Sequence, residues 1–507
     1  MSRTGYAIKN VFVGVGGQFF SILIGLVTRI FFVRLLAQEY LGLNGLFSSI
    51  LTTLSFVELG IGPAIVYSLY KPLAERDNEQ VNALMNLFRK SYIAIGVAVA
   101  AIGIALTPFL PYLIEDIPEN IPHINAIYIL FVVNTSISYF FSYKKSLIIA
   151  DQRQYIVTAC HYVFYFIMNA LQIGFLYFTR SYFVYLVIMI LSTFMENIVI
   201  SQIASRKYPA FLSGHPCALR NEYKNEIIIN IKAIILHKLG TVIHTVSDNL
   251  IMGKFFGLVS VAIYSNYLLI ITPLNAIGGQ IFSFTASLGN LKVTSEDDHA
   301  IDVFRIMEFV DFWVYAFFSV CLFVLFNPFI AIAFGENFLF PMFTVALIVL
   351  SFYLDGRRKA LLSIKEGYGI FYPDRYKPLV EVTAKVLLSI GLAIPYGING
   401  VFLGGILSRF VCIVVEPYVV YKYGLGWQYL SSYVKRYIMY FAVFVALTIV
   451  TYIAASLCGD GGLLPFVGKM MVCLVFPNIV IFLLFRKTTE FAWVWNTFKK
   501  FMKKIKK

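Results

Sequence analysis

The stretch IIINIKAIILHKLGTVIHTVSDNLIM, residues 227–252, is long enough to cross a bilayer, yet it carries Lys232, His237, Lys238, His244 and Asp248. An ionisable residue near the bilayer centre costs roughly 2.5 to 3.5 kcal/mol on insertion scales, so a span that keeps five turns them toward a wet cavity between helices rather than toward lipid. On a helical wheel His237, Thr241, His244 and Asp248 fall on one side, with Lys238 beside them. That polar stripe reads as one wall of a cavity, and the rest of the chain reads as the other walls.

The chain has 507 residues, of which 59% are hydrophobic and only 13% charged, a composition that excludes an ordinary soluble domain and fits a polytopic membrane protein. Its first apolar stretch, residues 11–36, is too long for a signal peptide and contains Arg29, so it is expected to remain as a span. The cysteines Cys160, Cys217, Cys321, Cys412, Cys458 and Cys473 sit apart, without the spacing of a metal knuckle, redox pair or disulfide framework. The net charge of +14 does not require a nucleic-acid partner, because basic cytoplasmic loops produce the same excess.

Apolar runs place spans near residues 10–33, 43–66, 91–113, 122–143, 155–178 and 182–204. After a loop at 205–225, a second series follows at 227–252, 258–282, 304–326, 342–356, 379–396, 398–420, 437–457 and 463–485, about 14 transmembrane helices in all. The tenth run is short and is expected to continue through Arg357 to Ile364. Lys and Arg concentrate in alternate loops, with only Arg34, Arg180 and Lys254 on the opposite side, so both termini are expected to be cytoplasmic. The implied domains are a six-helix lobe at 1–205, a cytoplasmic linker at 206–226, a second six-helix lobe at 227–422, two accessory helices at 423–486 and a basic tail at 487–507.

A shift of about 215 residues lays Leu41, Gly42 and Leu43 on Phe256, Gly257 and Leu258, and with a one-residue gap Phe88 and Arg89 on Phe304 and Arg305. Both copies start on the same side, so the repeat is parallel. Between spans two and three, Val81, Leu84, Met85 and Phe88 share a face, which predicts a short amphipathic helix on the cytoplasmic surface. The tail WVWNTFKKFMKKIKK, residues 493–507, combines aromatic anchors with six lysines and suits anionic lipids of the inner leaflet at about 1 kcal/mol per basic residue.

The runs YLGLNGLFSSILTTLSFVELGIGPAIVYSLYKPLAERD, residues 40–77, and SDNLIMGKFFGLVSVAIYSNYLLI, residues 247–270, resemble the bacterial polysaccharide flippases of the oligosaccharidyl-lipid exporter family, within the multidrug/oligosaccharidyl-lipid/polysaccharide superfamily. The resemblance covers spans one to twelve in layout. It implies an all-α integral membrane protein with two parallel six-helix lobes around a central cationic cavity that opens alternately to the two membrane faces. It also implies an undecaprenyl-diphosphate-linked oligosaccharide as substrate, and two C-terminal helices beside the cavity for the lipid tail.

Six basic residues lie within the spans: Arg29, Lys232, Lys238, Lys385, Arg409 and Lys469. Facing lipid they would together cost roughly 15 to 20 kcal/mol, more than a typical protein's whole stability, so they must snorkel or line water. Arg29, Lys232, Lys238 and Arg409 are the candidates for binding a diphosphate, since Arg offers a bidentate fork and Lys a mobile point charge. Snorkelling is the competing reading for Arg29 and Lys232, and for Lys469 it is preferred to ligand binding. Lys385 has Glu381 one turn earlier, and Arg409 has Glu416 on its own face, so pairing within a helix competes there. Glu58, without a base three or four residues away, is a candidate for ion or proton coupling, together with His244 and Asp248. The neighbouring Gly60, Gly62 and Pro63 imply a bend.

No catalytic ordering, cofactor motif or metal chelate stands out, and GVGGQ at 14–18 lies inside a span, where it reads as helix packing. The expected function is therefore a transporter flipping the lipid-linked unit from the inner to the outer leaflet of the bacterial cytoplasmic (inner) membrane. Polysaccharide assembly machinery is an expected partner. A drug exporter of the same fold is the alternative, disfavoured by a cationic cavity. A polysaccharide polymerase or ligase would be expected to carry a large external loop.

Overall fold

A computed structural model describes residues 3–58, 61–114, 121–211, 219–281, 297–368, 370 and 373–505. The described residues form helices without strands: α1 (Arg3–Leu35), α2 (Gln38–Leu54), α3 (Ile61–Glu75), α4 (Asn78–Leu106), α5 (Leu110–Leu113), α6 (Ile124–Ala150), α7 (Gln154–Thr179), α8 (Tyr182–Lys207) and α9 (Asn221–Ile281). These continue as α10 (Asp297–Phe334), α11 (Met342–Gly356), α12 (Lys359–Gly367), α13 (Lys377–Tyr396), α14 (Ile398–Val420), α15 (Leu430–Ser456), α16 (Leu463–Phe485) and α17 (Thr489–Ile505).

Eleven helical segments among the described residues are long and apolar enough to cross a membrane. The other expected spans are interrupted. The second is split between α2 and α3 by a 3-10 turn at Ser55–Glu58. The seventh and eighth share α9, where Gly257 leaves helical geometry at φ 73°, ψ 178°, a conformation essentially reserved for glycine. The tenth is α11 continued by α12, as its short apolar run implied.

The chain divides into two compact units, Met1–Ala262 and Ile263–Lys507, with the division inside α9 rather than in the 206–226 linker. In the N-terminal unit, α2 runs antiparallel beside α9. A Cβ on Gly42 would sit 2.0 Å from the Leu258 carbonyl oxygen, a Cβ on Gly253 would sit 2.9 Å from Leu46, and Asn249 donates to Ser49 at 2.9 Å. Within GVGGQ the packing expectation holds at Gly17, which the Tyr162 ring covers, whereas a Cβ on Gly14 or Gly16 would meet nothing within 4 Å.

The surface helix expected before span three is absent as a separate element. α4 is continuous from Asn78, with Asp77 capping the Gln80 amide at 3.1 Å. The apolar face was read correctly but belongs to the core. Val81, Leu84, Met85 and Phe88 are buried with Leu69, Leu147 and Ala204, so this face packs on protein instead of lipid headgroups.

In the C-terminal unit, α13 and α14 turn about Gly397 and pack backbone to backbone through Gly400 and Gly404. Phe304 is buried here, as its repeat counterpart Phe88 is in the other unit. The accessory helices rest on α10 and α11. Tyr440 stacks on Phe312, Phe444 stacks on Tyr353, and Trp313 donates to Asn478 at 2.8 Å. The tail forms α17, anchored by buried Phe491 against Phe309, Trp313 and Phe482, with Trp493 and Trp495 exposed.

Candidate functional site

Glu58 ends the 3-10 turn between α2 and α3. Its Oε1 accepts a 2.7 Å hydrogen bond from the Tyr92 hydroxyl of α4, and Tyr139 of α6 faces the same carboxylate. Gly62 makes this possible, since a Cβ there would lie 2.4 Å from the Tyr92 hydroxyl and 2.9 Å from Glu58 Oε1. The sequence offered Glu58 no partner on its own helix, and the fold supplies hydroxyls from two others. The expected bend is present as the break itself; Gly60 and the Pro63 side chain lie outside the described residues.

Along α9, His244 and Asp248 are half-buried, four residues apart, and the Ser247 hydroxyl donates to the His244 carbonyl. The side chains of Lys232, His237, Lys238 and Thr241 lie outside the described residues. Arg29 is half-buried on α1, beside Tyr182 and Tyr185 of α8.

The largest charge constellation among the described residues lies in the C-terminal unit, around the junction of α11 and α12. Arg409 of α14 donates Nε and Nη2 to the two oxygens of Asp355, both at 2.6 Å, while Nη1 donates to the Gly405 carbonyl at 2.8 Å. Arg358 donates Nε and Nη2 to Glu416 at 3.0 and 2.6 Å and Nη1 to Glu381 at 3.1 Å; Lys377 also donates to Glu416. Arg357 reaches the Glu308 carbonyl at 2.9 Å and Asp311 at 3.3 Å, and Arg436 of α15 donates to Glu308 at 2.8 Å. A charge taken out of water is tolerated only with such partners, because an ion left alone at this burial costs several kcal/mol.

Three sequence readings change here. Arg357 and Arg358, two of the basic residues that the alternation of loop charges counts on the cytoplasmic side, are not solvated: their side chains are 1% and 15% exposed, and they centre the network. Glu416 neutralises Arg358 and Lys377, not Arg409. Glu381 accepts from Arg358, and buried Lys385 runs beside Gly405. For Arg358, Glu416 and Glu381 the partner comes from another element, beyond what spacing along one helix can reveal. The Arg409 fork is fully engaged, so an anion at this guanidinium would have to exchange with Asp355.

Lys469 of α16 is buried, with its side chain 9% exposed, and is directed toward the N-terminal end of its helix. Its amine reaches exposed Asp460 at 2.5 Å, and that hydrogen bond holds the Asp460 carboxyl below the usual carboxylate range.

Sequence reasoning missed a further pair inside the spans, His161 on α7 and Glu196 on α8, in contact at 3.1 Å. The available signal was simply that both are ionisable residues inside apolar runs. Among the described residues no group of three or more His, Cys, Asp or Glu is placed to hold a metal ion.

No protein-family model matches the chain, and no curated protein matches it in sequence. Solved structures do match in fold. The lipid II flippase MurJ in an inward closed conformation aligns with a TM-score of 0.68 at 12% identity, covering 94% of this chain and 99% of that one. An inward-facing multidrug resistance MATE family transporter of the MOP superfamily aligns at 0.61 and 14% identity, covering 81% and 97%. The Vibrio cholerae MATE transporter VcmN aligns at 0.51 and 12% identity in its bent form, covering 83% and 97%. The chain therefore has the all-helical fold of these membrane transporters.

Proposed function

We propose that this protein is a non-enzymatic transporter of the bacterial cytoplasmic membrane that flips an undecaprenyl-diphosphate-linked oligosaccharide to the outer leaflet by alternating access. The observation that carries this reading is the extent of the fold likeness. The lipid II flippase accounts for 94% of the chain, whereas the MATE structures account for 81–83%, a difference about the size of the α15–α16 pair. A hydrophobic lipid tail gives a reason for additional helices that a small soluble cargo does not.

In this reading Arg29, Lys232 and Lys238 meet the diphosphate, and Arg409 does so by exchanging Asp355 for phosphate. Glu58, His244 and Asp248 serve ion or proton coupling. The basic α17 tail lies on anionic lipids of the inner leaflet, both termini are cytoplasmic, and polysaccharide assembly enzymes are the partners that supply and receive the cargo.

The MATE likeness favours one competing reading, export of small organic cations. The test is reconstitution into liposomes holding a short undecaprenyl-diphosphate oligosaccharide in one leaflet, with lectin accessibility reporting its transfer, and ethidium efflux measured in parallel. Protein-dependent lectin access supports the flippase. Ethidium efflux without glycolipid transfer overturns it in favour of the exporter.

A further inference from the structure

His161 and Glu196 meet where no sequence spacing brings them. His161 Nδ1 lies 3.1 and 3.3 Å from the two Glu196 carboxylate oxygens. Measured along the helices, His161 is seven residues inside α7 and Glu196 eleven residues from the end of α8, about 10 and 16 Å at 1.5 Å per residue. Both belong to segments apolar enough to span the membrane. The two side chains are 51% and 17% exposed, so the histidine lies at the edge of the helix pair and the carboxylate is the more enclosed by protein.

The described surroundings supply few competing charges. From α7 come the Cys160 thiol and the Tyr162 and Tyr165 rings, the rings lying 5.7 and 6.1 Å from the imidazole. α6 contributes Lys145, which with Glu196 acts on Cys160. Among the described residues of α1 the groups nearby are uncharged, the Gly14 carbonyl and the Gln18 amide oxygen, both accepting from the Tyr162 hydroxyl; the Lys9 side chain lies outside the described residues. On α8 the flanking Ser192 and Asn197 are turned to backbone carbonyls.

An imidazole and a carboxylate in such a place favour holding one proton between them. With one proton the pair is neutral overall, whether as imidazolium with carboxylate or as imidazole with carboxylic acid. Two protons leave a net positive charge and none leaves a net negative one, and either is disfavoured inside a membrane. A rearrangement that separates α7 from α8 or admits water removes that preference and releases the proton.

We propose that His161 and Glu196 form a proton-binding site in the N-terminal unit, loaded when the two side chains are in contact and emptied when they part. Its use as a coupling site rests on the transporter reading; the binding of the proton does not. The proton passes between water and the pair, with no other reactant.

The first measurement is infrared difference spectroscopy on the purified full-length protein between about pH 5 and 8, the window in which histidine ordinarily changes charge. Carboxyl and imidazole bands should titrate together in the wild type. Glu196→Gln should remove the carboxyl band and shift the imidazole titration, and His161→Gln should do the converse. Both replacements keep hydrogen-bonding capacity, and unchanged thermal unfolding separates the effect from misfolding. Titrations of the remaining partner identical to wild type overturn the site.

The second measurement uses liposomes loaded with a pH-sensitive dye, with the undecaprenyl-diphosphate oligosaccharide and ethidium as alternative cargoes. Either variant should lose at least tenfold of the acceleration given by an imposed pH gradient. Unchanged acceleration overturns the coupling role. If neither cargo moves in the wild type, the transporter reading fails, and the proton site is still decided by the infrared titration.

Discussion

Gly42 of α2 lies directly on the backbone of Leu258 in α9, so close that a Cβ on Gly42 would come within 2.0 Å of the Leu258 carbonyl oxygen. The two residues belong to the segments that the internal repeat superposes, LGL at 41–43 and FGL at 256–258. The most distinctive motifs of the chain are thus packed on one another. Gly42→Ala should lower stability by about 1–3 kcal/mol, since the clash is with backbone and the helices must separate. Gly391→Ala, where no atom lies within 4 Å of the new carbon, should have little effect. Thermal unfolding in detergent compares the two.

The Arg358–Glu416 contact makes a different demand. Arg358→Ala leaves Glu416 buried with only Lys377 as cation, and should cost roughly 3 to 5 kcal/mol. Replacing Arg358, Lys377, Glu416 and Glu381 together by apolar residues of similar size should restore much of that loss, since Arg358 also serves Glu381. Failure of the quadruple variant to recover, measured by unfolding, would assign the network a role beyond mutual neutralisation.

Arg409 is held by Asp355 through two 2.6 Å hydrogen bonds, so simple removal confuses packing with transport. Arg409→Ala combined with Asp355→Ala should recover folded protein relative to Arg409→Ala alone. Glycolipid transfer should stay below a tenth of wild type if phosphate is the second partner of this guanidinium, while Arg409→Lys should retain part of it. Normal transfer in the double variant would remove Arg409 from the substrate path.

On α9, Lys238 and Asp248 are ten residues apart, about 15 Å along the helix, too far to pair. Lys238→Ala should weaken headgroup binding about tenfold or more, whereas Asp248→Asn should leave binding intact and reduce dependence on an ion gradient. Binding to immobilised undecaprenyl diphosphate and gradient-driven transfer in liposomes read the two effects separately.

Single cysteines in a cysteine-free background test the orientation. Asn337 and Leu457, both exposed, should react with an impermeant thiol reagent added outside cells, and Asn78 and Tyr376 should not. These positions avoid the buried Lys365–Asp374 pair and the positive-φ Gly461, where a cysteine would disturb the fold. A reversed pattern at either pair would overturn the cytoplasmic placement of both termini.

The amino-acid sequence by itself determined the elements along the chain. Apolar runs of about 20 residues can satisfy their backbone in lipid only as helices, which is why the expected spans recur as α1–α16, with breaks at Ser55–Glu58, at Gly257 and at Arg357–Arg358. It also determined that the charges within those runs need partners, because water is not there to solvate them. Which partners they take was decided by tertiary structure. Spacing along one helix names only neighbours three, four or seven residues away, so it offered Glu416 to Arg409 and nothing to Glu58. Packing brought Asp355 to Arg409 across 54 residues, Tyr92 to Glu58 across 34 and Glu196 to His161 across 35. The same holds for the apolar face of Val81, Leu84, Met85 and Phe88: its period is written in the sequence, but whether lipid or protein covers it depends on the helices that arrive against it.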